Sequence, residues 1–290
     1  MPASSAPEAG HAVRARARTL ARTRSRRTAS RMPAALLVPA VLGLLYLVLP
    51  LLALLVRTPW SGLPAQLARP QVVDALRLSL LSATLATALC LLLGVPLAWV
   101  LARTQIPGRP VVRALVTVPL VLPPVVGGLA LLLLLGRRGL LGERLDLWFG
   151  ITLPYSTAAV VIAEAFVAMP FLVLTVEGAL RSADVRLEDA ATTLGASRLY
   201  AFRRVTLPLL APGVTAGAVL CFARALGEFG ATVTFAGSFP GVTRTMPIEI
   251  YLASQTTPET AVVLSVVLLT VSVLVLAGLR ERWLSGAATR

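Results

Sequence analysis

The sequence predicts an all-α integral membrane protein with six transmembrane helices, and three observations carry that reading. Of its 290 residues, 57% are hydrophobic and only 14% charged, whereas soluble domains carry about 25% charged residues. A soluble chain of this size cannot bury so much apolar surface in one core. The apolar residues fall in runs of roughly 20, the length that crosses a bilayer as a helix. Arginine supplies the third observation: it gathers in alternate segments between the runs, as it does where loops are held on the cytoplasmic face. In lipid the backbone must satisfy its own hydrogen bonds, so each run is helical rather than extended.

Residues 1–33 are rich in Ala, Arg, Ser and Thr, with eight arginines between Arg14 and Arg31 and no hydrophobic period. They read as a cytoplasmic tail without a packed core. Ser25-Arg26-Arg27 loosely resembles a twin-arginine export signal. The apolar run after it, 34–56, is too long for a cleaved signal core and reads as the first span, uncleaved. The remaining spans are predicted at 76–101, 111–135, 157–176, 214–237 and 260–279. With the N-terminus inside, the inner segments hold nineteen arginines and the outer ones seven, with Arg224 inside the fifth span. That asymmetry predicts cytoplasmic N- and C-termini; the outer trio Arg137, Arg138 and Arg144 runs against it.

Within the third span, Pro119, Pro123, Pro124, Gly127 and Gly128 interrupt the helix. Proline removes a backbone donor and kinks a helix. The kink serves either packing or a transport path lined by freed backbone groups. In the fifth span Arg224 and Glu228 are four apart, on one helical face. Arg at a helix centre costs roughly 3 kcal/mol on the insertion scale, so both side chains should face protein or water rather than lipid. They are either a self-compensating packing pair or a polar patch on a pore. Glu164 has no partner in its own span; it either pairs with Arg224 across helices or lies near the outer mouth. Thr232 and Thr234 either line a path or bond back to the carbonyl four residues earlier.

The longest inner loop, 177–212, is too polar to span and too patterned to be a passive linker. Asp184 can cap a short helix over 185–194, which Gly195 ends in the left-handed conformation. Ser197 can cap a second helix through Val205, stopped by Pro208 and Pro212. A helix-turn-helix on the cytoplasmic face is the expectation.

Composition also excludes chemistry. The formal net charge is +14 and every basic residue is Arg. The charges lie between apolar runs, and no nucleic-acid recognition module is visible, so membrane lipid and not nucleic acid is the expected counter-surface. Without lysine the chain has no P-loop, whose ammonium must reach the β- and γ-phosphates. Cys90 and Cys221 lie inside apolar runs and read as small buried hydrophobes. The single histidine, His11, sits in the tail. A His/Cys metal site or a histidine-based triad has no material.

The inner loop also carries a recognisable pattern. Asp189-Ala190-Ala191-Thr192-Thr193-Leu194-Gly195, nine residues, then Val205-Thr206-Leu207-Pro208 resembles the EAA loop of ABC-importer permeases. Asp189 stands where that family usually has Glu, and Val205 where it has Ile; the adjoining Glu188 keeps the acidic character. Ala190 and Ala191 leave a thin helix face, Gly195 turns the chain, and Leu207-Pro208 ends the element. The resemblance implies that this loop docks in a groove of an ATPase subunit. A second stretch, Ala225-Leu226-Gly227-Glu228-Phe229-Gly230-Ala231-Thr232 and on to Gly237, resembles oxyanion permeases of the molybdate and sulfate type. Pro240-Gly241-Val242-Thr243-Arg244-Thr245-Met246-Pro247-Ile248-Glu249-Ile250-Tyr251 looks closest to the molybdate permeases.

Together the resemblance covers about residues 76–279. It implies a type I (MetI-like) fold over 72–280, with a cytoplasmic coupling loop at 181–208, in a multi-pass protein of the inner (cytoplasmic) membrane. The expected function is the permease of an ABC importer for molybdate, with sulfate or thiosulfate as the alternative substrates and tungstate as a co-substrate. The implied partners are a second permease copy, two cytoplasmic ATPase subunits and an extracytoplasmic molybdate-binding protein. ATP and Mg would sit on the ATPase, with no cofactor on this chain. An ion-coupled secondary transporter is the rival class. It needs coupling carboxylates near the midplane, for which Glu164 and Glu228 are the only candidates, and an internal repeat, which is not seen. A non-transporting scaffold would have no reason to carry an EAA-spaced loop.

Overall fold

The computed structural model describes residues 34–184 and 186–287; the expectation for the Arg-rich tail lies outside them. Helices are α1 (Ala34–Arg57), α2 (Leu63–Leu67), α3 (Pro70–Arg103), α4 (Arg109–Val121), α5 (Pro124–Leu135), α6 (Gly142–Phe149) and α7 (Thr157–Ser182). They continue as α8 (Arg186–Thr193), α9 (Arg198–Ala201), a π turn at Phe202–Thr206, α10 (Leu207–Leu226), α11 (Gly230–Phe235), α12 (Met246–Thr256) and α13 (Pro258–Ala287). No strand occurs among the described residues. The described residues divide within α1 into two units, the first ending at Ala53 and the second beginning at Leu54. In the first, α1 is a single apolar helix carrying Pro39 and Pro50.

Among the described residues, five helices are long and apolar enough to cross a membrane, and the bent pair α4–α5 makes a sixth if it counts as one span. The expected third span is therefore not a kinked rod: its halves meet at 116°. Pro123 and Pro124 cannot donate to the preceding turn, and Leu122, forced out of the helical region by the proline after it, is extended (φ −65°, ψ 133°). The spans at α3, α7 and α13 run longer than expected, because polar end residues such as Arg103 and Arg181 continue the helix beyond its apolar stretch. The short helices α6 and α12 fall in segments read as loops.

The core of the second unit is built from α3, α7 and α10. Ala83, Ala86 and Cys90 of α3, Leu172 and Val176 of α7, and Cys221 and Ala225 of α10 are all fully buried. Small residues let these helices approach closely, which is the main source of helix association when lipid tails are as apolar as leucine. Cys90 and Cys221 are free thiols, and the Cys90 thiol donates to the Ala165 carbonyl at 3.4 Å.

The fifth span is also broken. The α10 helix ends at Leu226, and α11 begins after Gly227-Glu228-Phe229. The two breaks meet: α5 packs on α11 so closely that a Cβ on Gly128 would lie 2.7 Å from the Ala231 carbonyl oxygen and 2.8 Å from Thr234 Cβ. Both atoms are fixed, so the position demands glycine. Gly128→Val is expected to cost about 2 kcal/mol or more through overpacking. It should lower membrane yield and the thermal midpoint in detergent, whereas Gly178→Ala, where an added Cβ meets nothing within 4 Å, should be neutral.

Candidate functional site

The loop between α7 and α10 forms an ordered segment at the end of the bundle where α3 terminates. Asp184 Oδ1 accepts the Arg186 backbone N–H at 3.0 Å, and Glu188 and Asp189 sit in the first turn of α8, where the helix dipole favours negative charge. The helix closes as the spacing predicts. Ala196 N–H donates to the Ala191 carbonyl at 3.0 Å, and Gly195 takes φ +88°, the left-handed residue of a Schellman end. Ser197 Oγ then accepts the Tyr200 N–H at 3.3 Å and starts α9.

One expectation fails here. Pro208 does not stop the second helix; the chain from Leu199 to Leu226 is helical throughout. The π turn absorbs the proline. Leu207 N–H reaches back to the Phe202 carbonyl, and the widened turn precedes the position where Pro208 has no proton to give. Leu207 and Pro208 therefore open α10, and Val205 lies in the π turn.

On the segment's outer surface, Ala191, Leu194, Gly195, Ala196, Ser197 and Tyr200 line a hollow of about 620 Å³. Its rim is apolar and open: Leu194 is 88% exposed and Tyr200 58%. Ala191, which lines it, is half-buried; Asp189 and Ala190 are exposed but do not line it. Leucines this exposed, among Arg181, Arg186, Arg203 and Arg204, lie on a segment too polar for lipid and fit a protein partner. Val205, Leu207 and Pro208 are not brought to the hollow. Nor is Glu188, which turns toward the bundle and contacts Arg103 of α3 at 3.3 Å.

A second polar group lies at the break after α10. Arg224 is in the last turn of α10 rather than at a helix centre. Its Nη2 lies 2.6 Å from Glu228 Oε2, an ion contact with angles outside the hydrogen-bonding range. Glu228, 1% exposed, accepts the Ala231 N–H on its other oxygen at 2.8 Å and so begins α11. Glu164 does not pair with Arg224. It is buried in α7, where Oε1 accepts the Ser82 hydroxyl at 2.8 Å while Oε2 has no partner. Thr234 bonds back to the Gly230 carbonyl at 2.8 Å; Thr232 is fully buried with its hydroxyl unpaired.

Sequence reasoning missed Ser82, Ser79 and the Arg113–Glu177–Arg181 cluster. Ser79 Oγ accepts the Met246 N–H at 2.8 Å and starts α12 from 167 residues away. Glu177 takes both Arg113 and Arg181, the latter at 3.0 Å. Polar residues inside an apolar run were the available signal for the two serines. The stretch 240–251 proves to be a turn and helix start: Thr243 Oγ1 accepts the Phe239 N–H at 2.8 Å, and Arg244 reaches Ser238 at 3.2 Å and Glu249 at 3.5 Å.

Comparison with known proteins adds the lineage. Residues 94–286 match the family described as binding-protein-dependent transport system inner membrane component. The molybdenum transport system permease protein ModB of Mycobacterium tuberculosis is 50% identical over 261 residues, 89% of this chain and 98% of that protein. ModB of Escherichia coli is 43% identical over 212 residues, 73% of this chain and 93% of that protein. Among solved structures, a bacterial alginate ABC transporter in complex with an alginate pentasaccharide-bound periplasmic protein has a similar fold. Its TM-score is 0.69 at 17% identity, covering 85% of this chain and 92% of the matched chain. By the extent of these matches, this chain belongs to the family of binding-protein-dependent transport system inner membrane components.

Proposed function

We propose that this chain is the membrane-spanning permease of an ABC importer that carries molybdate across the inner membrane on ATP hydrolysed by partner subunits. The observation that carries the reading is the EAA-spaced segment, folded as an exposed helix-turn-helix with an apolar hollow at one end of an apolar bundle. Identity of 50% to a molybdenum permease, over nearly the whole of that protein, supports molybdate as the cargo. Two copies enclose the path, and two ATPase subunits carrying ATP and Mg hold the two coupling segments. An external binding protein brings molybdate to the opposite end. The permease's own work is mechanical: it offers the cargo alternating access and supplies no bond-making group.

The test is hydrolysis by the reconstituted complex. Molybdate-loaded binding protein should stimulate it, tungstate should substitute, and sulfate should neither stimulate nor compete at equal concentration. Stimulation by sulfate alone would move the assignment to the sulfate permeases. ATP-independent uptake driven by an ion gradient would overturn the class.

Orientation is a separate expectation. Single cysteines at Ser61 and Ser254, both exposed, should label from outside intact cells. A cysteine at Ser182, exposed at the end of α7, should label only after permeabilisation. Outside labelling at Ser182 would invert the topology and remove the coupling segment from ATP.

A further inference from the structure

The two adjacent acids of the coupling segment have different surroundings. Asp189 is exposed, whereas Glu188 is half-buried and reaches Arg103 of α3. The Glu188 carboxylate lies 3.3 Å from Arg103 Nη2, with side chains 25% and 16% exposed. Arg103 Nε is buried without a partner, so Glu188 is the acceptor that holds this guanidinium. One turn earlier on the same face of α3, Trp99 meets Phe202 edge-on, with ring centroids 5.3 Å apart and planes at 78°. Positions i and i+4 of one helix thus grip both halves of the segment. An ion pair holds α8, and an aromatic contact holds the π turn.

Between the two grips the segment stands off. A cavity of about 280 Å³ opens there, bordered by both acids, Glu188 and Asp189, and by Trp99, Thr192, Ala201, Phe202 and Thr206. No residue of α8 is fully buried. The helix is tethered at points rather than packed, so a displacement imposed on α8 reaches α3 through these contacts. Their other side is α3, 34 residues long, about 50 Å at the helical rise. It is packed through Ala83, Ala86 and Cys90 into the core with α7 and α10.

We propose that α3 is a lever through which motion of the coupling segment enters the transport path, with Arg103 and Trp99 as its positioning residues. This rests on the reading of α8–α9 as the ATPase-docking element. It assigns Glu188 to the permease's own transmission and leaves the hollow to the partner. The direct continuation of the π turn into α10 is a second route, and α3 makes the transmission two-armed. Two helices of one core, driven from a single segment, can then shift against each other.

The experiment uses the full complex in proteoliposomes. For each variant, the ATPase retained per permease and the stimulation of hydrolysis by molybdate-loaded binding protein are measured. Arg103→Gln and Trp99→Leu should keep the ATPase while stimulation falls about fivefold or more, the range of an ordinary coupling energy. Arg103→Glu should fall further, and adding Glu188→Arg to it should restore most of the stimulation, which a merely structural defect would not do. Unchanged stimulation in Arg103→Gln would overturn the proposal. So would loss of the ATPase from that variant, which would mean that the contact only shapes the docking surface, or failure of the charge swap to rescue. Failure of the underlying reading looks different: the unaltered chain would then retain no ATPase at all.

Discussion

Gly195→Val and Ala191→Glu should each abolish molybdate uptake and strip the ATPase from the purified permease, while the chain inserts at near-normal yield. The two substitutions act by separate physical routes. Gly195 holds φ +88°, where a side chain with a branched Cβ is strongly disfavoured; left-handed backbone costs an ordinary residue about 1–2 kcal/mol. No atom lies within 4 Å of a Cβ built there, so the defect is in the turn and not in crowding. The turn directs α9 away from α8 and sets the shape of the hollow. Ala191 lines that hollow, and a glutamate there places in it a carboxylate that docking would bury unpaired, at a cost of several kcal/mol. Neither position lies in a membrane-crossing helix, so insertion is the internal control. Normal ATPase retention together with normal uptake in both variants would remove the segment from the coupling role.

The parts of the fold that were legible from the sequence are those fixed by neighbours in sequence. Apolar runs fixed the existence of the spans. Asp184, Gly195 and Ser197 fixed the ends of α8 and α9, because each acts on backbone groups two to five positions away. What escaped is fixed at a distance. The apolar run expected over 214–237 continues beyond 227–229, yet α10 ends there, and α11 sets off with Glu228 accepting the Ala231 N–H and Gly230 against Pro124. The start of α12 depends on a serine in α3. The 116° turn at Leu122 was half-readable: consecutive prolines announce a break, but its angle depends on how α5 packs on α11.

The candidate site divides along the same line. The turn at Gly195 follows from local spacing; the hollow beside it, lined by Ala191, Leu194 and Tyr200, was not foreseen. The acidic neighbours could not be separated by spacing, since both fall in the first turn of α8. Only the C-terminal end of α3, 85 positions earlier, shows that Glu188 faces inward. Pro208 shows the opposite error. A local rule said stop, and the π turn two residues before it let the helix run on.

Removing one charge of the Arg224–Glu228 pair should destabilise the permease more than removing both. The Glu228 side chain is fully buried and that of Arg224 is 26% exposed, so Arg224→Leu strands a carboxylate in a low dielectric, at roughly 3–5 kcal/mol. Glu228→Leu would confound the comparison, because Glu228 Oε1 also accepts the Ala231 N–H; an unsatisfied buried donor alone costs about 1–3 kcal/mol. Glu228→Gln keeps an acceptor at that position and removes only the charge. Thermal midpoints in detergent should therefore fall most for Arg224→Leu, less for Glu228→Gln, whose stranded arginine still reaches solvent, and least for the double variant. The sign of the interaction decides the role. Additive losses would mean that the two groups do not depend on each other. If the double variant is stable yet no longer transports, the pair serves the path of the anion; if it is stable and transports, the pair is packing, and the break between α10 and α11 is held by Glu228 as a cap.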